Sequence, residues 1–130
     1  DLVNIVPDYL DDQESLNLLA GNDLIVFPYQ ESLESSSASA RHGLATLRPV
    51  MVTPSSIFQD LSQCVEYFSG FSSNDIAEGI FEYFKDYQKN NSNKIEKENS
   101  KKLEFIDTFR FSRVSRRLLN IIDSLNINDC

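Results

Sequence analysis

The chain reads as an α/β domain, a Rossmann-like parallel sheet flanked by helices, and three observations predict that class. Apolar runs at residues 3–6, 23–27 and 48–53 alternate with segments of helical periodicity joined by short connections, the order that gives right-handed crossovers and parallel strands. Pro7, Pro28 and Pro54 close these runs, as expected where a strand gives way to a loop. The run Asp23-Leu24-Ile25-Val26-Phe27 is continuously apolar after its first residue, the pattern of a strand covered on both faces. At 130 residues the chain has room for one domain with a true core, and 41% hydrophobic with 25% charged residues excludes a disordered or fibrous protein. No apolar run approaches the roughly 20 residues needed to cross a bilayer. The sequence begins at Asp1 without an initiator Met or a basic leader, and reads as a piece of something longer.

Taken in order, Val3, Ile5 and Val6 form a short strand or its last turn. Asp11 with Glu14 three residues on is a capping box, Leu16, Leu19 and Ala20 supply one apolar face, and Gly21 is a stop, so a short helix is marked at both ends. The strand at 23–27 follows. The small side chains of residues 35–45 predict a helix able to lie close to a neighbouring backbone, and 48–53 is the next strand. Residues 56–61 suit one or two helical turns, and 64–68 another short strand. Ile76, Ile80 and Phe84, with Ala77 and Phe81 beside them, mark an amphipathic helix capped by Ser72 or Ser73. Residues 88–102 hold a single apolar side chain, Ile95, and read as a polar insert, either a mobile loop or a frayed charged helix. Phe111, Val114, Leu118, Ile121 or Ile122, and Leu125 place a closing helix over 107–126, expected to pack back on the domain.

Charge is unevenly spread. Residues 1–40 carry eight acids and no Lys or Arg, which excludes nucleic-acid binding through that half. Ten of the twelve basic residues lie from Lys85 onward, mixed with seven acids, as on a solvated surface. Cys64 and Cys130 read as free thiols of a cytosolic protein, and one His with no Cys pair argues against a zinc site. The four glycines are too scattered for a dinucleotide fingerprint or a P-loop.

In open parallel sheets ligands bind beyond the carboxyl ends of the strands, which points to the loop 28–34. It carries Tyr29, Glu31 and Glu34 and leads into Ser35, Ser36 and Ser37, whose backbone N–H groups at a helix start could receive a phosphate. The alternative is that the serines only cap the helix and the carboxylates are solvated.

The segments 23–29, 34–37, 43–45 and 48–54 together resemble the donor-binding half of group 1 (family 4) glycosyltransferases of the GT-B fold. Glu34 falls at the first Glu of that family's Glu-x7-Glu element, Ser37 at its usual Gly, Ala45 at its Ala, and Pro49-Val50 at its Pro-Val. The lead-in around Tyr9 and Leu10, the turn at 57–61 and the start of the last helix at 111–117 are similar too. The resemblance implies the C-terminal domain of a hexosyltransferase, truncated at its N-terminus and inactive alone. It would transfer a sugar from a nucleotide-sugar donor to a glycan or lipid-linked acceptor in polysaccharide biosynthesis, with retention.

By the same resemblance Glu34, Ser35, Ser36 and Ser37 would bind the donor sugar, and Tyr9, Leu10 and His42 the nucleotide. No metal and no cofactor beyond the donor are implied, and an N-terminal acceptor domain would complete the enzyme. His42 stands where the family has its second Glu, and an imidazole cannot grip two vicinal hydroxyls as a carboxylate does. That departure supports the alternative, a non-catalytic α/β interaction or regulatory module. The expected location is cytoplasmic, with Arg110, Arg113, Arg116 and Arg117 as a basic face for peripheral association with the inner membrane face.

Overall fold

The Asp11 carboxylate accepts the Glu14 N–H at 2.8 Å and the Glu14 carboxylate accepts the Asp11 N–H at 3.1 Å, and this reciprocal cap starts helix α1 (Asp12–Ala20). The molecule is a computed structural model that describes residues 2–87 and 92–126. Gly21 ends α1, its N–H reaching the carbonyls of Asn17 and Leu18.

Three strands, β1 (Ile25–Phe27), β2 (Val50–Val52) and β3 (Glu66–Tyr67), form a parallel sheet in the order β1-β2-β3. Ile25 lies opposite Val50 and Phe27 opposite Val52, while Met51 lies opposite Glu66. All three residues of the central strand are buried, and their alternation divides the interior. Val50 and Val52 join Ile25, Ala40, Leu44, Ile57, Phe58 and Leu61 in the main core. Met51 faces the other way, toward helix α3 (Ser73–Tyr87).

Helix α2 (Ala38–Ala45) covers the main-core face, and small residues let it come close: a Cβ on Gly43 would lie 3.1 Å from the Phe27 ring. Ser37 caps it, accepting the Ala40 N–H at 3.1 Å. Past its end Leu47 takes the left-handed conformation at φ 60°, a place more often held by Gly or Asn. A 3₁₀ helix at Ser56–Leu61 then contributes Ile57, Phe58 and Leu61 to the core. On the opposite face α3 crosses at Gly79, where a Cβ would lie 2.5 Å from the Phe68 ring and 3.5 Å from the Met51 methyl. The Ser72 hydroxyl accepts the Asp75 N–H at 3.2 Å and the Asp75 carboxylate accepts the Ser72 N–H at 2.9 Å at its start. Helices α4 (Ser92–Thr108) and α5 (Phe111–Asn126) complete the described chain.

The predicted Rossmann-like half of a GT-B enzyme is not what these elements build. Among the described residues the sheet stops at three strands, none longer than three residues, and helices dominate. Residues 3–6 are not a strand: they have no regular structure, and Val3 and Ile5 are 74% and 79% exposed. The sheet ends at β1, so no ladder satisfies that backbone, and Pro7 removes a donor besides. The small-residue helix begins at Ala38, leaving Ser35 and Ser36 in the preceding loop. The polar insert is helical from Ser92 onward, and residues 88–91 lie outside the described residues. The closing helix does not pack back on the domain, for its large apolar side chains are exposed.

Candidate protein-interaction surface

The loop singled out from the sequence does lie beyond the strand ends. Tyr29 packs its ring against Phe27 and Phe58, at centroid distances of 6.0 and 5.3 Å, and its carbonyl accepts the Thr53 hydroxyl. Glu31 accepts the Ser56 hydroxyl at 2.9 Å, which ties the loop to the 3₁₀ helix. Glu34 is exposed, and its N–H donates to the Ser32 hydroxyl at 3.1 Å. Ser35 and Ser36 are exposed, whereas Ser37 is buried and spent on its cap. His42 is half-buried in the last turn of α2, Tyr9 is fully exposed and Leu10 half-buried. These positions give Ser37 and Glu31 structural work and bring no convergent pair of catalytic groups together. Among the described residues no group of three or more His, Cys, Asp or Glu could hold a metal ion. No helix among them is long and apolar enough to cross a membrane.

A different surface emerges from the last two helices. α4 is fastened to the α/β portion by buried contacts. The Lys102 side chain, 4% exposed, donates from Nζ to the Arg48 carbonyl at 2.9 Å. Burial holds this ammonium below the usual lysine range, an effect that nearby Glu98 and other groups partly offset. Phe105 packs on the main core, and the Cys64 thiol, itself raised by burial, approaches the Lys101 carbonyl at 3.7 Å. Arg41 clamps the end of α4: its guanidinium lies 5.6 Å from the Phe105 ring centre and 5.6 Å from that of Phe109, and pairs with Asp60. Asp107 then turns the chain, pairing with Arg113 at 2.5 Å and reaching Arg110 at 3.9 Å.

Beyond that turn α5 presents a continuous apolar face. Phe111, Val114, Leu118, Ile121 and Leu125 recur at alternating spacings of three and four, with Leu119 and Ile122 beside them. All seven are exposed, from 43% at Ile122 to 86% at Phe111. The spacing of Phe111, Val114, Leu118, Ile121 or Ile122, and Leu125 predicts a helix packed inward, and the structure leaves them exposed because helical spacing signals a face without saying what covers it. A row of large apolar side chains with Arg117 at one edge is the composition of a contact surface.

Residues 100–130 match the family model of the F-box domain. No curated protein and no solved structure matches the chain. The matched residues take in the second half of α4, the turn and all of α5, the segment for which the resemblance implies the closing helix of a transferase. This overturns the glycosyltransferase identification and with it the hexosyltransferase activity and the GT-B fold. It also overturns the nucleotide-sugar donor, the acceptor domain and the glycan or lipid acceptor as partners. The donor-binding roles of Glu34, Ser35, Ser36, Ser37, His42, Tyr9 and Leu10 lose the resemblance that implied them. The finding favours the alternative, a non-catalytic interaction module.

Proposed function

We propose that the chain is a non-catalytic adaptor for ubiquitin ligation, with α5 docking on Skp1 and the α/β portion presenting a surface to the protein that is to be modified. One observation carries the reading: the exposed apolar row of α5 falls wholly within the residues that match the F-box domain. A helix with anchors at i, i+3, i+4 and i+7 is the form that seats in an apolar groove of a partner. Each large anchor buried there gains roughly 1.5–3 kcal/mol before the costs of association are counted. The anchored α4 supports this role, because a docking helix on a fixed base loses less conformational freedom when it binds.

Calorimetric titration of the chain with recombinant Skp1 tests the proposal. The unmodified chain binds, and Leu118→Asp combined with Ile122→Asp removes measurable binding while the far-ultraviolet circular dichroism is unchanged. An unmodified chain that does not bind, or a double variant that binds as well, overturns the reading.

A further inference from the structure

Between α3, α4 and the edge of the sheet lies a cavity of about 380 Å³ that the docking helix does not touch. Its size falls in the range of about 300 to 1,000 Å³ typical of ligand sites. Met51 and Pro49 supply apolar lining from the sheet, and Tyr83 and Tyr87 line it from α3, their rings stacked at 5.9 Å with planes 26° apart. Gly79 is what brings that wall so near the sheet.

The electrostatics of the lining are one-sided. Asp23, Glu66, Glu82, Asp86 and Glu98 all border the cavity, against two cations, Arg48 and Lys102. Both cations are turned to structural use: the Arg48 Nε donates to the Ala20 carbonyl at 2.9 Å, and the Lys102 Nζ to the Arg48 carbonyl. Lys85 pairs with Glu82 at 2.9 Å from outside the lining. The lining residues alone sum to three negative charges around two π faces, and Lys85 offsets one of those charges from outside. The field is felt at the Tyr83 phenol, whose pKa is pushed up to about 12, first by burial and then by Glu66, Tyr87, Glu98 and Asp23.

We infer that this cavity is a recognition pocket for an alkylammonium or guanidinium group, offered by a lysine or arginine side chain of a protein substrate. Such a group is matched on three counts: carboxylates for its charge, tyrosine rings for cation–π contact, and an apolar lining for its methylene stem. Phosphates, nucleotides and acidic peptides are repelled by the same lining. The inference deepens the adaptor proposal by giving its α/β portion a class of substrate, and it rests on that reading only for the identity of the ligand as a protein side chain.

Fluorescence anisotropy with short labelled peptides tests it without Skp1 present. Peptides of alternating Ala with Lys or Arg are expected to bind, more weakly as salt rises, and the Ala–Glu peptide is not. Asp23→Asn with Asp86→Asn, both exposed positions, should weaken binding about tenfold and leave the melting temperature in place. Leu118→Asp with Ile122→Asp should leave peptide binding intact, so that a failure of Skp1 docking and a failure of the pocket are told apart. Equal binding of basic and acidic peptides, no binding of either, or an unaffected Asp23/Asp86 variant overturns the inference. Spermidine serves as the competing source of ammonium groups: if it binds more tightly than the peptides and displaces them, the pocket belongs to a free polyamine and the substrate assignment falls.

Discussion

Helices α2 and α5 both display an apolar face in sequence, and the structure treats them in opposite ways. Ala40, Gly43 and Leu44 of α2 are buried against Phe27 and Val50, because small residues let the backbone reach the sheet. The larger side chains of α5 meet no such surface, and Leu118 and Leu119 remain more than half exposed. The difference separates apolar residues that hold the fold from apolar residues that the fold leaves exposed, and the cost of removing each kind should differ accordingly.

The largest expected effect lies on the buried side. Phe58 is fully buried, its ring lies 5.3 Å from Tyr29, and its carbonyl accepts the Tyr67 hydroxyl at 3.0 Å. Phe58→Ala should cost about 3–5 kcal/mol in urea unfolding, enough to unfold a marginal domain. Leu118→Ala, a deletion of similar chemistry on α5, should stay within about 0.5 kcal/mol. A comparable loss at both positions would erase the distinction and mean that α5 is covered in the monomer.

Much of the local structure was legible because its signals are local. Asp11, Glu14 and Gly21 bound α1 within ten residues of one another, and Pro28 and Pro54 stop the chain just after β1 and β2. What lay beyond reach depends on distant contacts. The charged stretch after residue 88 gave no sign of a fastened helix, because α4 is held by Lys102 reaching Arg48 and by Phe105 reaching the core. The surface of α5 was visible residue by residue, but no periodicity reports whether a face is covered. The glycosyltransferase likeness failed for a related reason. An apolar run ending in Pro, a loop with Glu, a helix of small residues and a second apolar run is what a parallel strand–helix–strand unit of any function tends to contain.

Close approach of helix to sheet gives the next tests. Gly79→Val would drive a branched side chain into the Phe68 ring, and the overpacking should cost about 1–3 kcal/mol. It should also weaken binding of basic peptides by displacing Tyr83 and Tyr87, and a variant that loses stability while keeping full peptide affinity would separate the pocket from α3 placement. Ser37→Ala should cost about 1 kcal/mol, since the Ala40 N–H beneath it is buried and has the Ser37 hydroxyl as its cap. Neither change should alter Skp1 binding by α5.

The smallest effect is electrostatic and appears at high pH. Tyr83 ionises at about 12 in the folded chain and near 10 when unfolded. Below pH 10 both states hold the phenolic proton and its contribution is fully present. Between 10 and 12 the unfolded state sheds that proton first, so stability falls as pH rises until the folded phenol ionises too. In a near-ultraviolet titration of the folded chain Tyr83 should be among the last tyrosines to ionise, and Tyr83→Phe should remove that late phase and flatten the alkaline loss of stability. Adding a basic peptide should lower the phenol pKa, because a cation seated beside Tyr83 favours phenolate. A titration that the peptide leaves unmoved would place the bound cation away from the α3 wall, and the contrast between a silent core and a receptive surface would then have to be drawn without this pocket.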